Sequence, residues 1–286
     1  MEAVAWAREG WWRGGGRRAR APGLPAARHD DIDISIMNTA LALSSSPAVV
    51  AVSSVPSERV AAPPVVALAR VVRACAIAAC AVVGVMLAIF VVRGVGQDPL
   101  QVLHSPAAYA AILARDPGWL RATIGLDFAF IAFYATLFLA LGPVLVAQGA
   151  PRALARAAVA VLTATAALDL LENAHFLTMI ATVAQGGAVG AGEIAGQVGE
   201  SLVKFHVSYV GLFLLGFAMP RDTRVGRALA WASWYVQLPV GVLIYVTPPA
   251  VAFVLVLVRS AYFVLALAGV AVLAAGVVRG ARFAPR

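Results

Sequence analysis

The sequence predicts an all-α membrane protein, a bundle of six transmembrane helices with both termini in the cytoplasm, and three observations carry that prediction. First, 62% of the 286 residues are hydrophobic and only 13% are charged, with a mean hydropathy of +0.87. Soluble domains carry about 25% charged residues, so this composition suits a bilayer. Second, six apolar stretches are long enough to cross about 30 Å of hydrocarbon at about 1.5 Å per helical residue. They lie near Ala74–Val92, Ala122–Ala147, Ala157–Val183, Ser201–Met219, Ala228–Val246 and Ala250–Val278. Third, the arginines between them alternate by side. Arg59, Arg70, Arg73, Arg152, Arg156, Arg221, Arg224, Arg227, Arg279, Arg282 and Arg286 all fall on one face of a six-span chain. The other face receives only Arg93, Arg115 and Arg121, and its later loops, "AQGGAVGAGEIAGQ" and "TPP", hold no lysine or arginine. The positive-inside rule puts the basic face, and with it both termini, in the cytoplasm.

Residues 1–69 form a different material. The stretch "REGWWRGGGRRARAPGLPAARHDD" is rich in Gly, Arg and Pro and has no apolar periodicity, so a disordered tail is expected. No apolar segment follows Arg17 and Arg18 promptly enough for a twin-arginine signal. Met37 is expected to be an alternative start, leaving residues 1–36 untranslated. The membrane domain then runs over 70–279, with a short tail at 280–286. Cys75 and Cys80 are five apart in the first span, point to different sides of a helix and read as small packing residues rather than a redox pair.

The loop after the first span contains "SPAAYAAILARDPGWL". Ser105 suits an N-cap, Pro106 the first helical position, and Asp116-Pro117 a stop, which predicts a short surface helix with Trp119 at the membrane interface. Trp231, Trp234 and Tyr235 are expected to anchor the fifth span, and Pro143 and Pro239 to bend the second and fifth. No internal repeat supports an inverted-repeat transporter.

Ionisable residues inside apolar spans cost at least about 2.5–3.5 kcal/mol each at the bilayer centre, so they are functional candidates that face the bundle interior. The strongest concentration is "LDLLENAHFL" in the third span. With the predicted topology, Asp169 falls near the midplane and Glu172 and His175 progressively nearer the outside. Lys204 and His206 enter from the outer end of the fourth span, within about 10 Å of the surface. Asp127 in the second span and Arg259 in the sixth share the same half. Asp127, Asp169 and Glu172 against Lys204 and Arg259 is nearly balanced, and one proton would close the difference. Glu200 and Lys204 are an i,i+4 pair, whereas His206 is turned about 200° from Lys204.

At these residues the chain resembles an uncharacterised family of small bacterial polytopic membrane proteins with an Asp-x-x-Glu-Asn motif in a transmembrane helix. The resemblance rests on "LDFAFIAFY", "LDLLEN" and the lysine of "SLVKFH" and covers about residues 120–220. It implies the location of a polar site and no substrate; the histidines are not part of the pattern.

Several functions stay open on this reading. The first is binding or transfer of a small solute or proton through a polar pocket in the outer half of the membrane, with Asp127, Asp169, Glu172, Lys204 and Arg259 as the site. The second is a membrane-embedded metal-dependent enzyme using Glu172, His175 and His206, since Glu-x-x-His is a helical di-iron spacing. Haem held between His175 and His206 is a variant of it. The third is a structural or assembly subunit whose charges form a buried salt-bridge network. The favoured reading needs no cofactor. Its partners are the lipid bilayer and a small-molecule or ion ligand, with no nucleic acid, because the net charge of +8 sits at span ends. The Ala/Arg/Gly/Val bias points to a GC-rich bacterium, and hence to a multi-pass protein of its inner membrane.

Overall fold

In the computed structural model, residues 63–282 are described. The N-terminal tail before Pro63, the alternative start at Met37 and the last residues of the C-terminal tail lie outside them. The described residues are helical, with no strand among them. In chain order the helices are α1 (Pro63–Arg93), a 3-10 turn (Asp98–Gln101), α2 (Pro106–Arg115), α3 (Pro117–Ala147), α4 (Arg152–Ala184) and α5 (Ala191–Ala218). They are followed by α6 (Arg224–Ala232), a π-helical segment (Ser233–Gln237), α7 (Leu238–Val246) and α8 (Pro249–Arg282). Six helices are long and apolar enough to cross a membrane, with α6, the π segment and α7 together making the fifth. The chain is therefore an integral, multi-pass membrane protein whose lipid-facing surface shows residues such as Leu87, Val92, Leu171, Val210, Val246 and Leu265.

The spans pack as a ring. α1 lies against α3 and α8, α3 against α4, and α4 against α5; α5 packs on the α6–α7 span, which packs on α8. Two apolar cores result. The larger fills the half of the membrane on the side where α1 begins and α8 ends, from Ala76 of α1, Leu137 and Leu141 of α3, Leu162 of α4, Leu215 of α5 and Leu267 of α8. The smaller sits at the opposite, far side, where Leu100, Tyr109 and Leu113 of the α1–α3 connection pack on Ile124, Phe176, Met179 and Ile194.

That connection folds as its sequence dictates. Ser105 Oγ accepts the Ala108 amide at 3.3 Å and starts α2 behind Pro106. Asp116 ends α2 and caps α3 by accepting the Trp119 amide at 3.4 Å. Arg93 stacks over the Trp119 ring at 4.9 Å. Tyr109 donates its hydroxyl to the Leu100 carbonyl at 3.1 Å, and burial first, then the charges of Glu172 and Glu193, hold that hydroxyl protonated far above the usual phenol range. Pro239, which lacks an N–H for the helical ladder, follows the π segment, where wider turns absorb the missing bond.

Helix ends differ from expectation in two places. α1 begins at Pro63, ahead of residue 70 where the tail was expected to end. α5 begins at Ala191 rather than Ser201, so much of the "AQGGAVGAGEIAGQ" stretch is helix and the link from α4 is only Gln185–Gly190. Its alanines and Glu193 are good helix formers, and the scattered glycines only weaken the pattern. The consequence for the site is large: Lys204 lies about 20 Å along α5, well below the surface depth expected for it.

Candidate functional site

Helices α3, α4 and α5 each present one polar stripe to the others, at the boundary between the two apolar cores. On α4 it is Asp169, Glu172 and Asn173; on α5 it is Gln197, Ser201 and Lys204, spaced by four and three residues and so on one face. On α3 it is Asp127 and Tyr134.

Lys204 is the hub. Its Nζ stands 2.9 Å from Asp169 Oδ1 and 2.5 Å from Glu172 Oε2. Glu172, 0% exposed, is enclosed: Ser201 donates its hydroxyl to Oε1, and Gln101 Nε2 from the 3-10 turn approaches the two oxygens at 3.5 and 3.4 Å. Gln197 Nε2 reaches Ser201 Oγ at 3.4 Å. Asp169 Oδ2 accepts the Tyr134 hydroxyl. A continuous hydrogen-bonded path therefore runs Gln197–Ser201–Glu172–Lys204–Asp169–Tyr134, from buried Gln197 beside the smaller core to the edge of the larger core. Beyond Tyr134, the ring of Phe138 and the larger core's aliphatic side chains close it off.

Asp127 belongs to the same region with different company. It is 9% exposed, accepts Asn173 Nδ2 at 2.7 Å on Oδ2, and forms no ion pair among the described residues. Asn173 Oδ1 and Gln197 Oε1 are buried and have no hydrogen-bond partner among the described residues.

The structure thus brings Asp127, Asp169, Glu172 and Lys204 together and sets Arg259 apart. Arg259 pairs with Asp98 of the 3-10 turn at 3.9 Å and lies over the Phe205 ring at 4.1 Å. The i,i+4 pairing expected of Glu200 and Lys204 does not form, because Lys204 turns to the α4 carboxylates. Glu200 instead sits 3.0 Å from His175 Nδ1, with Glu193 at 3.9 Å on the other ring nitrogen.

The alternative metal set is not assembled. Glu172 faces Lys204, His175 faces Glu193 and Glu200, and His206 is exposed, with Nδ1 at 2.7 Å from the Leu202 carbonyl and its ring stacked on Tyr245 at 5.1 Å. No group of three or more potential ligands exists among the described residues. His175 and His206 likewise face different surroundings, so they do not bracket a haem. The described residues enclose a cleft of about 310 Å³ near Gln148, Pro151, Pro220 and Arg221, and a small apolar cavity lies between α3, α5, α6 and α8. Neither is lined by the charged cluster.

Sequence reasoning found the charged members and missed the uncharged ones. Gln197 and Ser201 carried a usable signal, since they continue the Lys204 face at helical spacing. Tyr134 and Gln101 did not, because only the folded ring brings them to Asp169 and Glu172.

Fold and site together define a multi-pass membrane protein with a buried acidic network held by one lysine. No protein-family model, curated protein or solved structure matches the chain.

Proposed function

We propose that this is a bacterial inner-membrane protein, with both termini cytoplasmic, that binds and transfers protons at the α3–α4–α5 network and exchanges them with the outer side. One observation carries this reading: the network sets three carboxylates, Asp127, Asp169 and Glu172, against one ammonium, Lys204, which pairs with Asp169 and Glu172 and leaves Asp127 to Asn173. Unbalanced charge is costly in a low-dielectric interior, and proton binding is the cheapest way to remove it. Asp127 is the group best suited to carry the proton, since it alone lacks an ion-pair partner. As a neutral acid it would donate its O–H to the unpartnered Asn173 Oδ1 while accepting Asn173 Nδ2, completing a two-bond acid–amide pair. Glu172, Lys204 and Asp169 form the path beside it.

The motif residues Asp169, Glu172 and Asn173 all lie in this network. We propose that the chain belongs to the bacterial group with the Asp-x-x-Glu-Asn motif.

Infrared difference spectra of the purified protein across a pH titration test the proposal. A protonated-carboxylic-acid carbonyl band that disappears as pH rises, and is missing in Asp127→Asn, is the expected result. Absence of any such band from the wild type over its stable pH range would overturn it.

A second reading has its own support. The complete enclosure of Glu172 is what a network serving only to lock α3, α4 and α5 together would show.

A further inference from the structure

The arginine that the acidic network leaves out raises a separate question. Arg259 lies on the face of α8 that also carries Tyr262, Phe263 and Ala266, the face turned into the ring. It is about 15 Å along α8 from the far side, and its side chain is only 12% exposed. A charge at such depth needs a counter-charge. Lys204, the other cation in this half, already holds two carboxylates at hydrogen-bonding distance. Arg259 holds none: it makes no hydrogen bond to any described residue, and its one ion-pair partner, Asp98 Oδ1, stands at 3.9 Å, beyond hydrogen-bonding reach.

Two surrounding features say what this guanidinium would accept. The first is Asp98 itself, 65% exposed at the head of the 3-10 turn, a carboxylate that faces the guanidinium from the loop and stays largely in solvent. The second is Phe205, whose ring lies 4.1 Å from Arg259 and 4.5 Å from Lys204 Nζ, placing an aromatic group directly beside the guanidinium. A planar guanidinium presents a fork of donors matched to both oxygens of a carboxylate, and a ring beside it suits an apolar body attached to that carboxylate.

We propose that Arg259 and Phe205 form a binding site for a small organic carboxylate entering from the far side, with Asp98 as the tethered carboxylate that the ligand displaces. The site borders the proton network, because the Phe205 ring also meets Lys204, but none of its residues carries the exchanged proton.

Calorimetric titration of the full-length protein in detergent with benzoate tests this. Saturable binding to the wild type is expected. Asp98→Asn, which removes the competing carboxylate from an exposed loop position, is expected to tighten binding severalfold. Arg259→Lys should weaken it severalfold and Arg259→Gln abolish it. No saturable binding in either wild type or Asp98→Asn overturns the proposal, as does binding that survives Arg259→Gln. If Arg259→Gln does not fold, equal benzoate affinity in wild type and Asp98→Asn is enough to overturn it. The same titration in nanodiscs with and without anionic phospholipid separates the sources: protection of Arg259 by anionic lipid with no response to benzoate would assign the site to a lipid phosphate and refute the carboxylate.

Discussion

Lys204 and Glu172 meet at 2.5 Å across the α4–α5 interface, and the same ammonium reaches Asp169 at 2.9 Å. One side chain therefore stitches two turns of α4 to α5, and its removal strands two acids in a protein interior.

Lys204→Met is expected to cost about 3–5 kcal/mol, the usual effect of leaving a buried charge without its partner. Adding Glu172→Gln and Asp169→Asn to Lys204→Met should recover most of that loss, because the neutral set leaves no stranded charge. Thermal denaturation in detergent measures both. A Lys204→Met protein as stable as wild type would show that the ion pairs do not hold the helices.

Asp127→Asn is expected to keep the fold and remove proton exchange. The amide has the size of the acid and can still pair with Asn173, while it cannot titrate. Melting should stay within about 1 kcal/mol of wild type, since no ion pair is lost. In detergent, acidification read with a pH-indicator dye should show proton binding by wild type that the variant lacks. Identical binding would move the proton site elsewhere.

Packing gives a prediction independent of any function. A Cβ at Gly241 would lie 2.5 Å from the Tyr209 ring, whereas one at Gly276 would meet nothing within 4 Å. Gly241→Ala is therefore expected to lose about 1–3 kcal/mol through overpacking, and Gly276→Ala to be neutral or slightly stabilising. Equal melting temperatures for the two would mean that α7 does not sit against α5 as closely as described.

Orientation is testable by fusion. Reporters that act only outside the cytoplasm should be silent when fused after Arg286 and active when inserted in the Gln185–Gly190 link. The reverse pattern would move the acidic network to the cytoplasmic half and remove the basis for exchange with the outside.

The spans were legible because hydropathy is a sum over many residues and tolerates local error. The cap at Ser105 was legible because an N-cap is chosen within four residues of chain. What escaped was set by contacts across the ring. The glycines near residue 190 concealed the first ten residues of α5, 191–200, and with them the true depth of Lys204. Glu200 looked like the natural partner of Lys204 at i,i+4, yet Asp169 and Glu172 offered the ammonium a more buried pairing on the facing helix. Arg259 balanced the charge count on paper, but the fold gives it to Asp98, whose position in an irregular loop no periodicity could locate.

The larger apolar core, from Leu137 to Leu267, has an electrical meaning as well as a packing one. It is part of the insulating layer of a capacitor, and the buried polar path that stops at Tyr134 lies inside that layer beside it. The voltage across a membrane falls over whatever stays dry, so any ion moving from the aqueous phase to Asp169 crosses part of that drop. Halfway through the field, each proton gains or loses about 1 kcal/mol per 100 mV. With the proton exchange proposed above, occupancy of the network is expected to follow membrane voltage as well as external pH, with no moving charged helix required.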